Sequence, residues 1–191
     1  MNGSLDEHPS SSEASAPAVA EFEAHVQRCQ LRKFSYDYYA HGLSEEAGEV
    51  FAAVRDARKA ALQERDAGDG VALEVGDVLW YATALSAEVG GALSMPTDWP
   101  LAEAGDTKDA EVLLMAAVSK LSGRVKKSLR GDKALDVFVP EMAVHRDEIL
   151  AHCAEVASHH GMTLADCAAL NMRKLGGRMA RGTLQGDGDK R

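Results

Sequence analysis

An all-helical fold is predicted by three features of the 191-residue sequence. Ala, Leu, Glu, Arg and Met recur from Val19 onward, proline beyond that point is confined to Pro96, Pro100 and Pro140, and no run of alternating β-branched residues marks a strand. With 46% hydrophobic residues, the chain carries enough apolar material for one core of ordinary domain size. Residues 1–18 are rich in Ser, Ala, Pro and acids without an apolar period, and are expected to form a disordered polar tail. One domain then spans 19–183, and 184–191 is a flexible C-terminal tail. Within the domain, helices are expected at 19–33, 44–64, 72–88, 108–130, 144–160 and 163–181. Helix-stopping chemistry separates them: Ala67-Gly68-Asp69-Gly70, Gly90-Gly91, the segment 96–106 with Trp99, and Gly131-Asp132. Thr163 followed by Asp166 has the spacing of a capping box at the start of the last helix.

Charge excludes several roles. Lys and Arg total 21 against 30 Asp and Glu, a formal charge of -9, so the molecule repels nucleic-acid backbones and anionic membrane surfaces. No apolar run approaches the roughly 20 residues of a membrane-spanning helix, and residues 1–9 are polar and acidic where a secretory signal is basic and then apolar. A cytoplasmic protein without nucleic-acid or membrane partners is expected. Cys29, Cys153 and Cys167 are odd in number and lack Cys-x-x-Cys spacing, which argues against a disulfide framework or a thiolate zinc site. The sequence also aligns with itself: 42–50 lies over 117–125, and 73–81 over 144–152, without gaps. A degenerate tandem repeat of one helical hairpin accounts for this, and chance similarity between amphipathic helices is the alternative.

The informative residues are acids. Glu45, Glu46 and Glu49 share one expected helix, and Glu74 and Asp77 the next. Residues three or four apart share a helix face, so Glu46 projects with Glu49 and Glu74 with Asp77. Two antiparallel helices would aim these carboxylates at one volume, among apolar neighbours such as Val50, Val54, Val75, Val78 and Leu79. Carboxylates buried together require a positive charge. Oxygen donors without Cys or suitably spaced His favour Mg²⁺ or Mn²⁺. The competing reading is a solvated acidic face paired with Arg55, Arg58 or Lys59. Gly48 and Gly76, each costing about 1 kcal/mol in a helix interior, point to close packing or ligand approach at the acidic level.

Glu45-Glu46-Ala-Gly-Glu49-Val50, then Glu74-Val-Gly-Asp77-Val-Leu-Trp-Tyr81, then Asn171-Met-Arg-Lys174-Leu-Gly-Gly-Arg178, resembles the MazG-like branch of the all-α nucleoside triphosphate pyrophosphohydrolase superfamily. The ending from Arg181 resembles the tails of short phage and prophage members. The resemblance covers the chain from about Val19 and implies a helical bundle that cleaves nucleotides between the α and β phosphates. It implies Glu46, Glu49, Glu74 and Asp77 as ligands of two or more Mg²⁺ ions, with Mn²⁺ able to substitute. Glu45, displaced about 100° around the helix from the ligands, either orients or deprotonates the attacking water or is a surface Glu, and Tyr81 lies either beside the sugar, as in relatives, or in the core. Asn171, Lys174 and Arg178 share one face of the last helix, either a donor-rich strip suited to phosphates or a solvent-facing basic helix end favoured by the helix dipole. A homodimer or homotetramer is usual for such proteins.

The chain departs from the short members by a long insertion between Gly91 and the Met162–Arg178 segment. The tandem-repeat reading fits the dimeric dUTPase plan of two fused halves, of which one is catalytic. In the second half, Lys120, Arg124 and His145 align with Glu45, Glu49 and Glu74. That half therefore lacks the metal set, and Lys120, Arg124, Lys126 and Lys127 either face a polyphosphate or form an ordinary basic stripe. The aromatic group Phe34, Tyr36, Tyr38 and Tyr39 either stacks on a base or packs against the bundle. A purine nucleotide such as dGTP or GTP is the first expectation for substrate. Phosphoribosyl-ATP and dUTP or dCTP are the alternatives within the superfamily. A di-iron carboxylate bundle is disfavoured because Glu46, Glu74 and Glu148 have no His three positions later. A non-catalytic nucleotide-binding module is the rival from another class.

Overall fold

A computed structural model describes residues 16–64, 68–102 and 109–184. Among these residues there are six α-helices, one 3-10 turn and no strand, so the fold is all-α as expected. The helices are α1 (Val19–Cys29), α2 (Tyr36–Leu62), α3 (Gly70–Val89), α4 (Ala110–Leu129), α5 (Leu135–His159) and α6 (Leu164–Ala180), with the 3-10 turn at Gly91–Leu93. No helix among them is long and apolar enough to cross a membrane. Most of the expected N-terminal tail and C-terminal tail lies outside the described residues. Pro17 is described and buried, and its carbonyl accepts a hydrogen bond from Trp99 Nε1 at 2.9 Å.

Buried positions follow helical spacing. Leu43, Ala47, Val50, Val54 and Ala57 form one stripe of α2, and Leu114, Ala117, Val118, Leu121 and Val125 one stripe of α4. Helix α3 is buried nearly all round between Val71 and Ser86, because it packs against α1, α2, α5 and α6 at once. The most extensive packing lies within the pairs α2–α3 and α4–α5, with α2 resting on α4 and α6 on α3. Met142, Ile149 and Leu150 of α5 complete the core from the other side.

Two helix starts differ from expectation. Helix α2 begins at Tyr36 instead of 44, since Tyr39, Ala40 and Leu43 already bury one face and Gly42 is tolerated where the Tyr81 ring takes the space of a side chain. Helix α5 begins at Leu135 and runs through Pro140. Proline frees the carbonyl four residues earlier, but Asp136 and Pro140 both face water, while Phe138 and Met142 bury the inward side. Burial thus outweighs the local stop signal. The last helix starts as its spacing predicts: Thr163 Oγ1 accepts from the Asp166 amide at 3.2 Å, and the Thr163 amide donates to Asp166 Oδ2 at 2.9 Å.

The glycines give a stability test. A Cβ on Gly76 would stand 2.8 Å from the Cys167 carbonyl oxygen and 2.9 Å from Asn171 Cβ, whereas one on Gly48 would meet nothing within 4 Å. Gly76→Ala is expected to cost about 1–3 kcal/mol by forcing α3 and α6 apart. Gly48→Ala is expected to add up to about 1 kcal/mol through helix propensity. Thermal melts of the two variants should therefore shift in opposite directions, by roughly 2–4 °C per kcal/mol.

Candidate metal centre

Helices α2 and α3 form an antiparallel pair, and their register positions the acids. Asp77 lies opposite Glu46; one turn further along α3, the Tyr81 ring lies over Gly42, one turn back along α2. Glu46, Glu74 and Asp77 each offer one carboxylate oxygen, and these oxygens all lie within 4.8 Å of one another. All three residues are half-buried. Ala47, Val50, Val75 and Val78, buried beside them, keep the surrounding seam apolar.

The third contributor is α6. Gly76 has no side chain where α6 crosses, so the Asn171 and Lys174 side chains reach Asp77. Asn171 Nδ2 donates to Asp77 Oδ1 at 2.6 Å, and Lys174 Nζ donates to Asp77 Oδ2. Asn171 is fully buried, and its Oδ1 has no hydrogen-bond partner. Arg178, one turn beyond Lys174, is also buried. The donor-rich strip expected on the last helix therefore faces the bundle, and its lysine and asparagine meet the acidic group.

Electrostatics at Glu46 reflect the crowding. Burial, followed by the charges of Asp77, Glu49 and Glu74, pushes its carboxyl up to about 8, with Lys174 acting in the opposite direction. Burial likewise raises the Tyr81 hydroxyl, reinforced by Tyr38, Glu46 and Glu45. Hard oxygen donors gathered around one point, with more negative than positive charge among Glu46, Glu74, Asp77 and Lys174, suit Mg²⁺ or Mn²⁺. The residues fit a divalent ion.

Glu49 and Glu45 are exposed, and neither belongs to the close three-oxygen group. Glu49 acts on Glu46 through its charge. The cations considered for a solvated acidic face are engaged elsewhere: Arg58 meets Glu111 at 2.6 Å, and Arg55 and Lys59 meet Asp56 at 3.1 and 3.4 Å. Glu111, buried at the start of α4, is a partner that sequence spacing did not single out. Gly42, buried beneath Tyr81, is another residue of the site region missed at that level; the aromatic at the facing position is its only sequence signal.

In the second hairpin, Lys120 Nζ is 3.3 Å from Glu148 Oε2, and His145 Nδ1 is 3.0 Å from the same oxygen. His145 and then Lys120 hold the Glu148 carboxyl below the usual range. Arg124 Nε lies 2.7 Å from Glu141 Oε2. Lys120 and Arg124 thus pair with carboxylates of α5, the ordinary alternative to a polyphosphate cradle. The aromatics near α2 also pack on one another: Phe34 stacks on Tyr38 at 4.0 Å between ring centroids, and Tyr39 meets Tyr38 edge-on at 5.5 Å.

Glu46 predicts a pH dependence. Its folded carboxyl holds a proton more tightly than the unfolded chain does, so its contribution to stability is full below about 4.5 and is lost as pH rises through about 8. In a chelator, the melting temperature of the metal-free protein should fall between pH 5 and 8 relative to Glu46→Gln, which carries no titrating group there. Parallel melting curves for the two proteins across that range would remove the carboxylate crowding described above.

Compared with known proteins, the chain matches no family model, no curated protein and no solved structure.

Proposed function

We propose that the chain is a divalent-metal-dependent nucleoside triphosphate pyrophosphohydrolase, cleaving the α–β phosphate bond to give a nucleoside monophosphate and pyrophosphate. One observation carries the reading: segments of three helices, each belonging to the motif that resembles this superfamily, meet at Glu46, Glu74 and Asp77, with Asn171 and Lys174 on Asp77. Bound Mg²⁺ supplies positive charge to the phosphate oxygens and makes water more acidic for attack on the α-phosphorus. Glu46, Glu74 and Asp77 would hold it, with Glu49 one turn along α2 as a further ligand for a second ion.

The chain's other residues divide the remaining work. Glu45 is exposed and displaced about 100° from Glu46 around the helix, where it takes the proton of the attacking water. The bond from that oxygen to the α-phosphorus forms as the bond to the bridging oxygen breaks, and pyrophosphate leaves with the pair of electrons. Lys174 and Arg178 offset the leaving phosphates, and Asn171 holds Asp77 in position from a fully buried place. Tyr81, which covers Gly42 beside the acids, borders the sugar. A purine nucleotide, dGTP or GTP, is the first substrate of choice, and assembly as a homodimer or homotetramer belongs to the same reading.

A non-catalytic helical module is favoured by one feature, the Lys174 ammonium already seated on Asp77 as an internal counter-ion. Turnover separates the two readings. Pyrophosphate release should be measured over a panel of ribo- and deoxynucleoside triphosphates with Mg²⁺ or Mn²⁺. Glu74→Ala and Asp77→Ala should each lower release by about a hundredfold or more while helicity by circular dichroism is retained. Near-normal turnover in either variant refutes the metal assignment, and absence of turnover in the parent chain with every nucleotide favours the non-catalytic module.

A further inference from the structure

Asp77 has a donor on each carboxylate oxygen, and the two donors are built differently. Asn171 is neutral, fully buried and wedged where α6 crosses Gly76, its Cβ only 2.9 Å from the place a Gly76 Cβ would take. It cannot leave without moving the helix. Lys174 is charged, its side chain retains 13% exposure, and its ammonium ends a flexible four-carbon stem. It can swing away while α6 stays in place.

An ammonium and a divalent cation on one carboxylate oxygen repel each other, and in a half-buried seam water screens that repulsion poorly. We infer that Lys174 and the divalent ion are alternative partners of Asp77, and that the lysine passes from this carboxylate to the phosphates of the nucleotide as the ion binds. The inference rests on the metal-dependent reading above. Before the ion arrives, the ammonium relieves the repulsion among Glu46, Glu74 and Asp77. Once the ion arrives, the displaced charge sits at the edge of the same site, next along the helix to buried Arg178, where an incoming polyphosphate is the anion at hand. Lys174 is thereby a positioning residue that couples two ligands. A phosphate that engages it eases entry of the ion, and linkage requires the ion to favour the phosphate equally.

Mn²⁺ binding to the full chain, followed by the electron paramagnetic resonance signal of the free ion, tests the exchange without reference to turnover. Without nucleotide, Lys174→Met should bind Mn²⁺ about tenfold more tightly than the parent, and Lys174→Arg, which keeps the charge, should bind like the parent. A non-hydrolysable α,β-imido triphosphate should tighten Mn²⁺ binding in the parent and do so much less in Lys174→Met. A measurement on the unaltered chain guards against poor folding of the variants: Mn²⁺ should speed acetylation of Lys174 by acetic anhydride, read by mass spectrometry. Equal or weaker Mn²⁺ binding by folded Lys174→Met, or an unchanged acetylation rate in the parent at saturating Mn²⁺, overturns the exchange and leaves the metal-dependent reading intact. A parent chain that binds no Mn²⁺ with or without the analogue overturns both.

Discussion

The requirement that gathered negative charge be compensated governs this molecule. Glu46, Glu74 and Asp77 converge in a seam of valines and alanines, where ionised carboxylates lose much of their hydration and repel each other. Relief comes from a proton on Glu46 and from the Lys174 ammonium or, in the proposed metal-bound state, from a divalent ion. The second of these demands that α6 lie close against α3, which only the missing side chain of Gly76 permits. Helix packing and charge balance are therefore one problem here, solved at one crossing point.

Much of this was legible in the residues. Six helices follow from composition and the placement of turn signals, and the capping box at Thr163 from spacing alone. Glycine at 76, unfavourable in an isolated helix, correctly marked a close crossing. What escaped was tertiary in origin. The helices expected from 44 and 144 begin earlier, because buried Tyr39, Leu43, Phe138 and Met142 carry them through Gly42 and Pro140. Helical spacing coupled Glu46 with Glu49, but only Glu46 joins the close group, and Glu49 stays exposed. The destination of Lys174 was equally hidden, because pairing across 97 positions has no local signature.

The helix pairs α2–α3 and α4–α5 balance their charges in different ways. The internal alignment matches Glu45 with Lys120 and Asp77 with Glu148; Lys120 and Glu148 meet across α4 and α5, whereas exposed Glu45 lies outside the close group that holds Asp77. Across α4 and α5, Glu148 meets Lys120 and His145, and Glu141 meets Arg124. At the α2–α3 pair, Lys174 of α6 meets Asp77 within the group of three carboxylates.

Beneath Tyr81, Gly42 leaves room for ring atoms that would lie 2.1–2.5 Å from any Cβ placed there. Size at 42 and size at 81 are consequently a single inherited trait: homologues that enlarge the first should shrink the second. Because Tyr81 also neighbours Tyr38, at 6.4 Å between ring centroids, such paired exchanges offer lineages a route to reshape the ground between the acids and the Phe34–Tyr38 stack without disturbing its charges.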